Sequence, residues 1–141
     1  MACGRRWRKT TLKMAIAVEA ANVGQHVIWG APTYDQVRIG WTEAKRAAGT
    51  VAQFAQTRMI AEFPSGGRII YRSLDDPDNA RGHTADLVIV DEVGMVKPAA
   101  WYEVLRPMLM DTGGSAFLGG TPNGRNWFFP WWHWPGRAHR F

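Results

Sequence analysis

The chain is poor in the residues that hold small secreted domains and zinc modules together. Its 141 residues include one cysteine, Cys3, which excludes a disulfide framework or a cysteine zinc site within one chain. The chain also lacks an uncharged apolar run near the roughly 20 residues that a spanning helix needs. An apolar stretch follows the basic N-terminus, but Lys13 and Glu19 interrupt it. We therefore predict neither a membrane span nor a signal peptide, and the scarcity of cysteine suits a reducing cytosol.

Positive charge and tryptophan are plentiful. The chain has 17 basic and 12 acidic residues, a net charge of +5, which suits either a polyanionic partner such as DNA or an ordinary basic surface. Because 46% of the residues are hydrophobic, we expect one domain with a packed core. The aromatic tail, from Trp127 to Trp134, is too apolar to remain uncovered in water. Another part of this domain, or a segment that this chain lacks, should therefore pack against it.

Hydrophobic periodicity predicts helices that alternate with strands. Helices are predicted at residues 9–22, 34–48 and 98–110. The first is expected to carry Leu12, Ala15, Ile16 and Ala20 on one face. Pro107 should kink or restart the third. Strands are predicted at residues 26–31, 58–63, 68–73, 87–90 and 115–119. This order predicts an α/β fold with a mainly parallel sheet, to which a β-hairpin turning at residues 64–67 is added.

Two acidic residues follow the most apolar of the predicted strands. Residues 87–90 are a continuous and mostly β-branched run, typical of a central strand buried on both faces, and Asp91 and Glu92 come directly after it. Ligands of parallel sheets bind at the carboxyl ends of the strands. The pair suits nucleotide hydrolysis, with Asp91 holding the Mg²⁺ water shell and Glu92 polarising the attacking water. A solvated acidic turn is the alternative.

A second candidate motif is the basic segment that precedes the first helix. A phosphate-binding loop needs backbone N–H groups at a helix N-terminus, a lysine, and a hydroxyl for Mg²⁺. Lys9 and Thr10 are placed for the last two roles, but Cys3 and Arg8 stand where the general pattern has glycine. If the backbone at Arg8 is left-handed, its β-carbon costs about 1–2 kcal/mol. A basic N-terminal arm is the alternative.

The third motif, residues 119–124, follows the last predicted strand and contains Thr121. A small polar residue there is placed to sense a γ-phosphate, whereas an ordinary Gly/Pro/Asn turn is the alternative. A lysine with a hydroxyl, then an acidic pair, then a threonine is the sequential plan of a RecA-like P-loop NTPase. A helicase-type ATPase and a basic, tryptophan-rich DNA-binding fragment without catalysis remain open.

The amino-acid sequence of these motifs resembles that of the ATPase region of phage terminase large subunits, from residue 3 to about residue 129. The similar segments are residues 4–10 (an arginine-rich Walker A), 31–34, 77–82 (Pro-Asp-Asn-Ala-Arg-Gly) and 120–124, followed by Trp127 and Phe128. The combination is specific, although no single segment is. The resemblance implies ATP and Mg²⁺ as cofactors.

Site residues follow from the resemblance, position by position. The implied nucleotide-binding residues are Gly4, Arg5, Arg6, Lys9, Thr10 and Thr11. Lys9 matches the lysine on the β- and γ-phosphates, and Arg5 matches a catalytic arginine that reaches the γ-phosphate. Thr10 and Asp91 match the Mg²⁺ ligands of Walker A and Walker B. Glu92 matches the catalytic acid, and Thr121 matches the coupling residue.

The resemblance also implies a setting for the protein. It predicts a motor that translocates double-stranded DNA, works as a homo-oligomer with a portal protein and a small terminase subunit, and uses no membrane. Its place would be the cytoplasm of the infected or lysogenic bacterial host. Residues 1–141 are expected to form a single, partial P-loop ATPase domain, a fragment without the first strand of the sheet and without a nuclease domain.

Overall fold

The computed structural model describes residues 9–121 and 124–132. The helices are α1 (Lys9–Asn22), α2 (Tyr34–Ala48), α3 (Arg106–Thr112) and α4 (Phe129–Trp132). The strands are β1 (His26–Ala31), β2 (Gln53–Ala55), β3 (Ile60–Glu62), β4 (Arg68–Ser73), β5 (Leu87–Val90) and β6 (Ser115–Leu118). Two 3-10 turns, Pro77–Ala80 and Val93–Met95, and a π-helical segment, Ala100–Leu105, complete the described elements. Within these residues no helix is both long and apolar enough to cross a bilayer.

The six strands form one mixed sheet in the order β2-β3-β4-β1-β5-β6. Strands β4, β1, β5 and β6 are parallel, and β2 and β3 add an antiparallel hairpin beside β4. The predicted α/β fold with a mainly parallel sheet is thus confirmed, while β2 is an addition to the predicted set. After β1 the chain crosses to one side of the sheet and then returns to β5 on the other. Such a reversal of strand order leaves a crevice at the carboxyl ends of the strands.

Helix α1 has the predicted ends but buries a different face. The prediction placed Leu12 on the apolar side, yet this side chain is 49% exposed. The buried residues are Lys13, Met14, Ala17 and Ala21. The predicted face was wrong because nearly every residue from Leu12 to Ala21 is apolar, so the pattern distinguishes the faces poorly. Lys13 points inward because it forms an ion pair with Asp91 and donates to the carbonyl of Gly119.

One face of the sheet is covered by α1 and α2. Alternate residues of β1 point to this side, and the fully buried Trp29 lies among them. Trp41 of α2 packs edge-on against Tyr71 of β4, with their ring centroids 5.2 Å apart. Burial raises the pKa of Tyr71 above its ordinary value, and its hydroxyl donates to the sulfur of Met14 at 3.7 Å. The aromatic layer therefore joins both helices to the sheet.

The opposite face is covered by the π-helical segment and α3. Trp101, Leu105 and Leu109 are almost completely buried there, against Val88 and Val90 of β5. The helix does not end at Pro107. Instead, the turns before it are widened, and the N–H of Arg106 donates to the carbonyl of Trp101, five residues back. The predicted disturbance near Pro107 thus takes the form of a π-helical segment, a form often found near functional sites.

Gly40 allows α2 to approach the sheet closely. A β-carbon at this position would lie 2.5 Å from Nε1 of Trp29, so we expect Gly40→Ala to destabilise the fold by about 1–3 kcal/mol through overpacking. Because the contact is with the rigid and fully buried ring of Trp29, we expect a cost in the upper part of this range, so a net loss of about 1–2 kcal/mol remains after the gain of about 1 kcal/mol in helix propensity. Urea unfolding measures the change. Thr42→Ala on the exposed side of α2 is the control and should change stability by less than about 0.5 kcal/mol. A Gly40→Ala variant as stable as the original chain would contradict the close approach.

Candidate active site

The carboxyl ends of β5 and β6 bring two of the predicted motifs together. The strands are parallel, with Val90 paired to Leu118, so the residues after each strand emerge at the same edge of the sheet. The N–H of Asp91 donates to the carbonyl of Gly30 at 2.9 Å, and the N–H of Gly119 donates to the carbonyl of Val90 at 3.1 Å. These bonds fix the starting points of the acidic pair and of the Thr121 segment.

The first turn of α1 reaches the same edge. The ammonium of Lys9 donates to Oγ1 of Thr121 at 3.0 Å, across 112 residues of sequence. The hydroxyl of Thr10 donates to Oδ2 of Asp91 at 3.2 Å. The lysine, the hydroxyl, the acidic pair and the threonine therefore meet at one place, although they come from three separate parts of the chain.

Glu92 is held by its own backbone and by Thr121. Its φ of 47° and ψ of 47° lie in the left-handed region, which costs a non-glycine residue about 1–2 kcal/mol. Thr121 donates to both carboxylate oxygens of Glu92, through its N–H at 2.9 Å and through its hydroxyl at 3.3 Å. A β-carbon at Gly120 would lie 3.0 Å from Cα of Glu92, a tight contact with backbone, so glycine favours this close approach. The unusual backbone thus aims the carboxylate at the Thr121 segment.

The structure adds Lys13 to the site, a residue that sequence reasoning did not select. Its side chain is fully buried, forms an ion pair with Oδ1 of Asp91, and donates to the carbonyl of Gly119 at 3.0 Å. A signal was available, because a lysine inside an apolar helical stretch is seldom buried without a partner. Lys13 also lies one helical turn after Lys9, on the side of α1 that faces the strand ends.

The oxygen donors at this edge fit a magnesium ion. Mg²⁺ prefers octahedral oxygen ligands at about 2.1 Å, which places neighbouring ligands about 3 Å apart. The hydroxyl of Thr10 and Oδ2 of Asp91 have such a separation, 3.2 Å. One protein carboxylate with one hydroxyl is also the kind of donor set that leaves room for water and phosphate oxygens. The two residues predicted to hold Mg²⁺ are therefore suitably placed for it.

The Pro-Asp-Asn-Ala-Arg-Gly segment lies beside the neighbouring strand end. Its 3-10 turn begins after Asp76, whose carboxylate accepts the N–H of Asp78 at 3.1 Å. Arg72, near the end of β4, donates to the carbonyl of Asn79 at 3.1 Å and contacts Nε2 of His83 at 3.3 Å. Burial, and then the charge of Arg72, lowers the pKa of His83. Arg72 thus ties this segment, which resembles the corresponding one in the terminase family, to the sheet.

The beginning of the aromatic tail is covered by the chain itself, as one of the two predicted alternatives required. The indole N–H of Trp127 donates to the carbonyl of Val96 at 2.7 Å. The Trp127 ring packs against Tyr102, with centroids 5.9 Å apart, and Phe128 is buried against the same face of the sheet. Asn126 donates to the carbonyl of Gly94 at 3.1 Å. The segment after Thr121 is thus anchored on the turn that follows Glu92.

Some predicted residues lie outside the described part of the chain. These are Gly4, Arg5 and Arg6, together with Cys3 and Arg8, and the Pro122–Asn123 pair of the third motif. Their roles remain predictions. Thr11 is described and is exposed on the first turn of α1. Its contact with nucleotide also remains a prediction.

Comparison with known proteins extends these observations. A family model described as terminase large subunit, T4likevirus-type, N-terminal, matches residues 9–139. The chain belongs to this family. The match includes the lysine and threonine of α1, the acidic pair and the Thr121 segment, so all the described parts of the site lie within the family's N-terminal region.

Curated relatives match over a shorter segment. The terminase large subunits of Thermus phage G20c and Thermus virus P23-45 are each 45% identical to this chain over 58 residues. That segment is 41% of this chain and 12% of each relative. This terminase chain therefore corresponds to a small part of the length of these relatives.

Solved structures of terminases share the fold. The large terminase ATPase domain of Thermus phage P74-26 is 29% identical, with a TM-score of 0.76, and the match covers 96% of this chain and 65% of that one. The large terminase of bacteriophage HK97 is 16% identical, with a TM-score of 0.72 over 86% of this chain and 28% of that one. A large terminase from a thermophilic bacteriophage, solved in complex with ADP, is 16% identical, with a TM-score of 0.61 and coverage of 86% and 32%. The RecA-like fold predicted from the order of the motifs is thereby confirmed.

The contacts of Thr121 lead to a stability prediction. Thr121→Val keeps the shape of the side chain but removes the hydroxyl that accepts from Lys9 and donates to Glu92. Because both partners are charged and partly buried, we expect a loss of about 1–2 kcal/mol in the free energy of unfolding. Urea denaturation measures it. Thr42→Val is the matched control, since the Thr42 hydroxyl bonds within its own helix, to the carbonyl of Arg38. Equal losses in the two variants would refute the bridging role.

Proposed function

We propose that this chain is the nucleotide-binding core of a DNA-packaging motor, which hydrolyses ATP to translocate double-stranded DNA. One observation carries the proposal: Lys9 and Thr10 of α1 meet Asp91, Glu92 and Thr121 at the carboxyl edge of the sheet. Membership of the terminase family supports a packaging motor rather than a helicase-type ATPase or a DNA-binding fragment without catalysis.

The nucleotide phosphates are proposed to lie at the N-terminus of α1. The backbone N–H groups at the N-terminus of a helix point along its axis, and together with the helix dipole they favour an anion there. The ammonium of Lys9 gives up its bond to Thr121 for the β- and γ-phosphates. Gly4, Arg6 and Thr11 are proposed to line the phosphates, and Arg5 to neutralise charge on the γ-phosphate during transfer.

Thr10 and Asp91 are proposed to hold Mg²⁺, with Asp91 acting through Oδ2, the oxygen that faces the Thr10 hydroxyl. When bound, the ion neutralises the charge that develops on the phosphate oxygens. The large terminase of the thermophilic bacteriophage, solved with ADP, is consistent with a nucleotide site on this fold.

Glu92 is proposed to orient the attacking water and accept its proton. In this step the water oxygen forms a bond to the γ-phosphorus, and the bond from that phosphorus to the β,γ-bridging oxygen breaks. Glu92 has a left-handed backbone, and Thr121 donates to both of its carboxylate oxygens, which limits the positions that the carboxylate can take. If the hydroxyl of Thr121 released its carboxylate oxygen of Glu92, that oxygen could accept a proton from the attacking water.

Thr121 is proposed to couple hydrolysis to movement of the DNA. Its hydroxyl contacts Lys9 on one side and Glu92 on the other, so it responds to the γ-phosphate through both. The remaining partners follow from the family: double-stranded DNA, a portal protein, a small terminase subunit and further copies of the full-length motor. These assemblies would form in the cytoplasm of the infected or lysogenic host, and the net charge of +5 suits the DNA.

Nucleotide binding is tested by Lys9→Ala. Loss of an ammonium on the phosphates should weaken binding of a fluorescent ATP analogue to the 141-residue chain by about 10- to 100-fold, as expected for a charged hydrogen bond. Lys45→Ala is the matched control, because Lys45 is an exposed lysine near the end of α2, and its ammonium lies 5.3 Å from the centroid of the Trp41 ring rather than in the site. If the analogue binds both variants equally, or does not bind the unaltered chain, the proposed phosphate site is wrong.

Hydrolysis is tested by Glu92→Gln. Because the amide cannot accept the proton of water, we expect ATP turnover to fall by about 10²–10⁴-fold, while the affinity for the ATP analogue changes little. Glu103→Gln, on the exposed side of the π-helical segment, makes the same chemical change and should leave turnover intact. Turnover that persists in Glu92→Gln, or is lost equally in both variants, would remove Glu92 from the mechanism.

A further inference from the structure

Lys13 differs from the other charged residues in the described part of the chain, because its side chain is completely buried. It lies in the second turn of the mostly apolar α1, next to the buried Met14. Burial of an ammonium carries a large desolvation cost that a single ion pair only partly offsets. Stability alone is therefore a poor reason for a lysine at this position, and its contacts indicate another role.

The contacts of Lys13 divide the two oxygens of Asp91 between different partners. Oδ1 accepts from the ammonium of Lys13 and from the N–H of Glu92 at 3.1 Å. Oδ2 faces the hydroxyl of Thr10 at 3.2 Å. The ammonium also donates to the carbonyl of Gly119 at 3.0 Å, so it cannot swing away without losing a buried bond. One oxygen of the carboxylate is thus occupied by protein groups, and the other remains for a metal ion.

We propose that Lys13 is a resident counter-cation of the magnesium site, which positions Asp91 and lowers the affinity of the site for divalent ions. This inference rests on the proposed function, in that Thr10 and Asp91 are taken as the metal ligands. The ammonium neutralises the charge of Asp91 and repels a divalent ion placed beside Oδ2, and both effects are strong where water is excluded. A metal ion then binds well only when nucleotide phosphates add their own negative charge.

Removal of Lys13 distinguishes this role from a purely structural one, because the two roles predict opposite changes in the affinity for a divalent ion. If Lys13 only kept Asp91 in place, its removal would disorder a metal ligand and weaken binding of the ion. If Lys13 is a counter-cation, its removal leaves a carboxylate with full negative charge, and binding of the ion becomes tighter. The affinity of the chain for a divalent ion without nucleotide therefore tests the inference.

The experiment uses Mn²⁺ as the probe and follows free Mn²⁺ by electron paramagnetic resonance. The 141-residue chain is compared with Lys13→Met, which keeps much of the length of the side chain without its charge. We expect the Kd for Mn²⁺ in the absence of nucleotide to fall by about tenfold or more. Lys13→Gln, a polar and neutral variant, should show the same direction and serves if Lys13→Met does not fold, as judged by circular dichroism.

The double variant Lys13→Met with Asp91→Asn is the control for the metal ligand. It replaces the ion pair by two neutral side chains, so the gain in Mn²⁺ affinity should disappear. Unchanged or weaker Mn²⁺ binding in folded Lys13→Met and Lys13→Gln would overturn the inference. A parallel titration with ADP separates the two proposals, since an absence of ADP binding in every variant contradicts the nucleotide site without bearing on the Mn²⁺ comparison.

Discussion

The carboxylate of Asp91 is the point on which the rest of the site depends. Asp91 directly follows β5, and its carboxylate accepts from Lys13 and Thr10 of α1 and from the N–H of Glu92. A single side chain thus joins the first helix to the central strand and sets the start of the acidic turn. Because Lys13 also bonds the carbonyl of Gly119, the end of β6 is held by the same interaction. The same contacts therefore fix the position of α1 over the sheet and the geometry of the site.

Much of this arrangement could be predicted because it depends on local patterns. The run from Leu87 to Val90 is apolar at every position, which predicts a strand buried on both faces, and in the structure Val88, Ile89 and Val90 are buried. Once β5 and β6 are taken as parallel neighbours, their carboxyl ends must share an edge. Asp91 and Thr121 therefore come together by topology, without knowledge of any side-chain contact.

What could not be predicted depends on contacts between distant segments. The inward face of α1 was misjudged because Leu12 and Met14 are both strongly apolar, and the ion pair of Lys13 that decides between the faces spans 78 residues of sequence. Strand β2 has three residues, too few for an alternating pattern to be detected. The left-handed backbone of Glu92 has no signal in its own residue type. It accompanies a close approach to Gly120 and two bonds from Thr121, which lies 29 residues further along the chain.

The segments that follow β5 and β6 contact each other at three places among the described residues. Thr121 bonds Glu92, Asn126 bonds Gly94, and Trp127 bonds Val96, in the same order along both segments. These three contacts hold the described parts of the two segments together, beginning at the carboxyl ends of the strands. The packing of Trp127 on Tyr102 extends this series of contacts to the π-helical segment, so the turn that carries Glu92 and that segment belong to one continuously packed unit.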